Sequence, residues 1–185
     1  MHKLYKIIDG THYYWEAWET GERSATFHYG VLGDQGKTDT IKTDFPDTPE
    51  KVIERELKAK KSLGFIPVPD DFYNTVIVHF KTGWMFGLSD DRSRRIAEAY
   101  LDEHIGWYGY GTCDYGTEED GYYNIYCSVI DVENAVKAIK SALRSEYPVH
   151  WKDITTKKYE KPDESQKHDP EGDIDVDIRP RDIMP

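Results

Sequence analysis

The side chains able to do chemistry are scattered along this sequence. Seven histidines (His2, His12, His28, His79, His104, His150 and His168) never fall in pairs at i, i+4 on one helix, the spacing a helical zinc site uses. Cys113 lies beside Asp114 in a glycine-rich stretch and Cys127 in an apolar run, too far apart for a Cys-x-x-Cys site. Both read as small buried or half-buried thiols, since a nucleophile needs a base that this spacing does not place. Asp173-x-Asp175-x-Asp177 starts like a calcium loop, but Ile178 stands where Gly is required and Met184 where the bidentate Glu is required. Gly109-Tyr110-Gly111 opens no helix, and Asp114 stands at the third glycine position of a dinucleotide loop. Glu118-Glu119-Asp120 puts three acids side by side at a turn, not two in the contrasting environments that acid–base catalysis needs. The sequence therefore assigns no catalytic residue, no metal and no cofactor, and the expectation is a protein that is not an enzyme. An enzyme with a site not visible in the sequence is the weaker alternative.

Binding chemistry is better represented. The acids Asp114, Glu118, Glu119 and Asp120 are interleaved with Tyr110, Tyr115, Tyr122 and Tyr123. Aromatic anchors among carboxylates suit a basic protein partner: charge steers the encounter and rigid rings supply buried area. Arg92, Arg94 and Arg95 form the densest arginine cluster, in the first turn of an expected helix where cations oppose the dipole. With Lys58, Lys60 and Lys61 they are the residues a nucleic acid would use in the alternative reading.

The elements that must carry these groups are legible from periodicity. The first third reads strand, turn, strand, turn, strand, hairpin, strand, helix, with turns at Asp9-Gly10 and Thr20-Gly21. His12 to Trp18 is aromatic on both faces and is expected to be a central strand. Thr48 is the expected cap of a helix with Pro49 at its first position, an apolar stripe of Val52, Ile53 and Leu57, and Gly64 as its left-handed stop. Pro67 to Asp71 reads as a linker. Beyond it come a strand from Asn74 to Phe80, a helix from Asp90 to His104 capped by Ser89 or Asp90, a strand from Tyr122 to Val129, and a helix capped by Asp131. One more strand is expected near Gly83 to Leu88 or Trp107 to Thr112. The fold class is α+β, with a β-rich module followed by a small plait, an antiparallel sheet covered on one face by two helices. From Thr155 the chain turns polar and proline-rich and reads as a tail. Within it Asp173 to Ile178 alternates acid and branched aliphatic, as a strand added to a sheet edge would.

Tyr29-Gly30-Val31, followed by Gly33 and Gly36, sits between two strand-like runs. These residues resemble the WGR domain, named for Trp-Gly-Arg followed by Gly-x-x-Gly, whose aromatic position is often Tyr in bacterial members. Lys3 to Ile7 is similar to the family's opening strand, and Pro49 to Phe65 to its helix. The resemblance covers residues 1–66 and implies the family's β-rich module. In poly(ADP-ribose) polymerases that motif helps bind DNA ends. Val31 stands where the family has Arg, which removes the guanidinium that would reach a phosphate.

Charge and length bound the rest. The chain has 185 residues and a formal charge of -11. Residues 1–66 carry 10 basic and 11 acidic residues, and residues 67–185 carry 14 and 24, so the acidity sits in the second part. Such a surface repels phosphate backbones and favours basic partners. No apolar run approaches transmembrane length, and two cysteines suit a reducing cytoplasm. The expected organisation is a WGR-like domain (1–66), a linker (67–71), an α+β domain (72–154) and a polar acidic tail (155–185). The expected function is cytoplasmic binding or inhibition of a basic protein, of the immunity type. The alternative is binding of DNA ends or structured DNA.

Overall fold

The computed structural model describes residues 1–81, 90–145 and 151–160. The chain is α+β, and its described residues form two four-stranded antiparallel sheets and three α-helices. It divides into two units. The first holds Met1–Pro69 with Trp107–Gly109; the second holds residues 70–106 and those from Tyr110 onward.

The first unit is a meander of β1 (His2–Ile8), β2 (Thr11–Glu19), β3 (Ser24–Val31) and β4 (Lys37–Lys42), followed by α1 (Pro49–Ser62). Because β2 and β3 are paired on both sides, His12 to Trp18 does run through the middle of a sheet. The Thr48 hydroxyl accepts the Lys51 N–H at 3.3 Å, and Gly64 ends the helix at φ +88°. Val52 and Ile53 pack on Leu4, Trp15, Ala17, Ala25 and Phe27, with Leu57, Tyr29 and Phe65 at the margin. Burying side chains such as Leu4 and Phe27 contributes about 1.5–3 kcal/mol each. All six residues of β4 are exposed, and its Lys, Asp and Thr residues give this edge a polar guard.

The hairpin between β3 and β4 depends on two glycines for different reasons. Gly33 has φ +93°, a region where a side chain is strained, and its N–H donates to the Tyr108 carbonyl at 2.9 Å. Gly36 is closely packed: a Cβ there would collide with the Tyr14 hydroxyl, lie 2.6 Å from the Tyr29 carbonyl oxygen and 2.8 Å from His28 Nε2.

The second unit begins with a short 3-10 turn at Asp70–Phe72, which overlaps the end of the stretch expected as linker. It continues with β5 (Asn74–Lys81), α2 (Asp90–Trp107), β6 (Gly111–Glu119), β7 (Tyr122–Val129), α3 (Val132–Ser145) and β8 (Trp151–Lys158). The sheet order is β6-β7-β5-β8, antiparallel throughout. Asp131 caps α3 as expected, its Oδ1 accepting the Asn134 N–H at 3.0 Å.

Four expectations are corrected. The helix expected to end at His104 runs to Trp107, and the additional strand occupies Gly111–Glu119. Asp114 to Glu119 is therefore strand, not turn; the turn is Asp120-Gly121, both at positive φ, as a two-residue hairpin requires. The tail does not start at Thr155, because Thr155 to Lys158 belong to β8 and pair with β5. That strand offers little alternation of its own, with Ile154 its single aliphatic side chain, so pairing rather than pattern defines it. Gly83 to Leu88, Asp173 to Ile178 and the expected Ser89 cap lie outside the described residues.

Steric room decides the outcome of two glycine substitutions. Gly36→Ala is expected to destabilise by about 1–3 kcal/mol through overpacking. Gly106, in the last turn of α2, has nothing within 4 Å of an added Cβ. Gly106→Ala is expected to stabilise by up to about 1 kcal/mol through helix propensity. Denaturant unfolding of both variants checks the contrast.

Candidate docking face

In the first unit, three ionisable residues lie in one row across the sheet: Lys3 is opposite Glu16, and Glu16 is opposite His28. Lys3 Nζ is 2.5 Å from Glu16 Oε1, and His28 Nδ1 is 3.0 Å from Glu16 Oε2. The Tyr14 hydroxyl lies 3.1 Å from His28 Nε2 and donates toward the carbonyl oxygens of Trp107 at 3.2 Å and Asp34 at 3.3 Å. Trp107 meets the His28 ring edge-on at 4.6 Å. Burial pushes the Glu16 carboxyl up, but the Lys3 ammonium and the His28 hydrogen bond outweigh it and hold the group below its ordinary value. Burial, then the Glu16 charge, push the Tyr14 phenol up to about 12. A carboxylate–imidazole–phenol chain is a proton relay in chemical type. Here Tyr14 is 1% exposed and His28 2%, so no reactant reaches it. Its work is to hold the hairpin and the Trp107–Gly109 segment, which Tyr5 also grips through a 2.8 Å bond to the Gly109 carbonyl.

Among the described residues, one face of the second unit's sheet carries no helix. Val76, Val78 and Phe80 of β5 and Tyr123, Ile125, Cys127 and Val129 of β7 are buried on one side. The alternate residues face the other side. In register, Lys81 meets Tyr122, His79 meets Asn124, and Ile77 meets Tyr126. β6 adds Tyr115, Thr117 and Glu119, and β8 adds Asp153, Thr155 and Lys157.

This open face has an ordered chemistry. Asn124 Oδ1 accepts from His79 Nδ1 at 2.7 Å, and His79 Nε2 lies 2.8 Å from the Thr155 hydroxyl. Asn124 Nδ2 continues the row toward Thr117 at 3.4 Å. Tyr115 and Tyr126 stack at 4.4 Å with 8° between planes, and Lys157 Nζ caps the Tyr126 ring at 5.4 Å. Beside them a cleft of about 260 Å³ is lined by Glu119, Asp120, Tyr122 and Asp153 around the His79 row. Three carboxylates and a phenol ring around one opening suit a cationic side chain. Among the described residues, no three His, Cys, Asp or Glu side chains are grouped as a metal ion would need.

The structure brings some sequence candidates together and separates others. Glu119, Asp120 and Tyr122 share the cleft. Tyr115 joins the same face through Tyr126. Tyr110 (8% exposed) and Tyr123 (3%) are corrected to core residues. Glu118 pairs with Tyr123, so strand alternation puts it on the opposite side from Glu119. The Asp114 and Arg92 side chains lie outside the described residues. Arg94 is held by Glu98 at 2.6 Å and is 16% exposed, so it is a structural ion pair. Arg95 lies on the same helix, whereas Lys58, Lys60 and Lys61 belong to α1 in the first unit. Lys60 stands over the Tyr29 and Phe65 rings, and the Tyr29 hydroxyl donates to Asp39 at 2.7 Å. Tyr29, Gly30, Val31, Gly33 and Gly36 all fall in or beside the β3–β4 hairpin. Sequence reasoning missed His79, Asn124, Tyr126, Asp153, Thr155 and Lys157. The usable signal was period-two alternation, which sets His79 and Ile77 opposite the buried Val76, Val78 and Phe80.

No family model, no curated protein and no solved structure matches this chain.

The buried charge row yields a pH prediction. Glu16 is depressed in the folded state, so its stabilisation is present above the ordinary value of 4.5 and lost as pH falls through the lower folded value. Glu16→Gln is expected to cost about 3 kcal/mol at neutral pH, because it removes the buried carboxylate that pairs with the Lys3 ammonium and accepts from His28. The difference in melting temperature between wild type and variant should shrink as pH is lowered from about 6 to about 3. Calorimetry across that range checks it.

Proposed function

We propose that this chain is a non-enzymatic cytoplasmic binding protein that docks a basic protein on the open sheet face of its second unit. An inhibitor or immunity-type role, in which an acidic surface blocks a basic toxin or nuclease, fits that chemistry. One observation carries the reading: Glu119, Asp120, Asp153 and Tyr122 line a single cleft beside the stacked Tyr115–Tyr126 pair. Carboxylates there steer a cationic partner, and the tyrosines supply rigid contact area at low entropic cost. The formal charge of -11 adds long-range attraction. In described residues no helix is long and apolar enough to cross a membrane, which is compatible with the reading.

We read the second unit as a plait, on the basis of its β-α-β-β-α-β order and its sheet order β6-β7-β5-β8. The first unit is read as a WGR-like module. Its four strands, its glycine hairpin and its following helix support that reading. Val31 in place of the family's Arg argues that the hairpin is kept for structure rather than for DNA.

The test is capture of the partner by the full chain, followed by association kinetics. Reversing Glu119, Asp120 and Asp153 together to Lys is expected to slow association at least tenfold at low salt and to flatten its salt dependence. Tyr115→Ala is expected to speed dissociation, costing about 2 kcal/mol as an anchor residue would. Unchanged kinetics in both variants, or nanomolar binding of nicked duplex DNA with a steep salt slope, would overturn the proposal.

A further inference from the structure

The chain's two cysteines meet across the second sheet. Cys113 on β6 and Cys127 on β7 are direct register partners, and both are thiols. Register partners in an antiparallel pair share one face of the sheet, with Cα atoms about 4.5 or 5.5 Å apart. A disulfide accepts Cα separations of about 4.4–6.8 Å, so this pair needs no large backbone movement to close. The two thiols differ in access. Cys127 is 0% exposed, whereas Cys113 is partly exposed. The Cys113 N–H is anchored by Asp102 Oδ1 at 2.7 Å, which fixes this end of β6 against α2.

We propose that Cys113 and Cys127 are a redox-modification site that closes reversibly into a cross-strand disulfide, independently of what the open face binds. With oxidised glutathione as oxidant, the Cys113 thiolate attacks one glutathione sulfur and releases one glutathione thiolate. Cys127 then loses its proton and attacks Cys113 Sγ, releasing the second glutathione. Two protein thiols are oxidised to one disulfide, and one glutathione disulfide is reduced to two glutathiones. The accessible thiol reacts first and the buried one resolves it.

The site sits where it bears on the strand that carries Tyr115. The register shifts between Cys113 and Tyr115, with Asp114 left between them. Without that extra residue Cys113 and Tyr115, two apart, would face the same side; the bulge turns Tyr115 to the open face while Cys113 stays beside Cys127. Closing the disulfide pins the strand next to that bulge and holds Tyr115 in its stacked position.

The experiment exposes the full folded chain to glutathione buffers of graded poise, quenches with an alkylating reagent and measures intact mass. The expected product is a monomer that has lost two hydrogens, takes up no alkyl groups and yields one cross-linked peptide joining Cys113 to Cys127. Cys127→Ser is expected to stop at a stable glutathione adduct on Cys113. Hydrogen exchange of the wild type should slow around residues 113–117 on oxidation. Two alkylatable thiols persisting in fully oxidising buffer would overturn the proposal. A lasting glutathione adduct in the wild type, or disulfide-linked dimers alone, would do the same.

Discussion

The second unit depends on one geometric constraint, the period-two alternation of β5 and β7. Both are central strands, so every residue must face either the helices or the open side. Val76, Val78 and Phe80 lie opposite Cys127, Ile125 and Tyr123, and this layer is buried. Ile77, His79 and Lys81 are thereby committed to the other side with Tyr126, Asn124 and Tyr122. A one-residue slip would exchange the two sets. The hydrogen-bond row from Thr117 through Asn124 and His79 to Thr155 then ties four strands together on that side. The described side chains of this face are thus held in one arrangement by hydrogen bonds.

The first unit solves a different problem with similar means. One side of its sheet is apolar and lies under α1. The other carries the Lys3–Glu16–His28 row, the Tyr14 phenol and the close-packed Gly36. A buried ion pair is weak evidence for stability, because desolvation offsets much of the attraction. What the row provides is specification. The three residues are satisfied together only in this register, and the same register brings Tyr14 under the hairpin. Trp107–Gly109 join this unit through Tyr5, Tyr14 and Gly33.

Much of this was legible in residue patterns, and the omissions have physical causes. Thr48, Pro49 and Gly64 announced α1 because capping is local chemistry. Asp131 announced the start of α3 for the same reason. β8 was lost because an edge strand with one solvent-facing side needs few apolar residues. Glu118-Glu119-Asp120 looked like one acidic patch. In fact Glu118 and Glu119 point to opposite sides of a strand, which composition cannot reveal. Tyr110 and Tyr123 were assigned to the surface by their acidic neighbours; in Tyr123 the strand register with Phe80 turns the ring inward instead. The Lys3–Glu16–His28 row was invisible because its members are far apart in the chain and meet only through register.

The proposed docking places a partner on one defined face of the second sheet. Amide chemical-shift mapping of the full chain with its captured partner tests this most directly. Perturbations are expected to concentrate on Tyr115, Glu119 to Tyr122, His79 and Asp153, with α1 and the buried layer of β5 unchanged. Perturbations centred on Lys58 to Lys61 and the β3–β4 hairpin, with the open face silent, would contradict it.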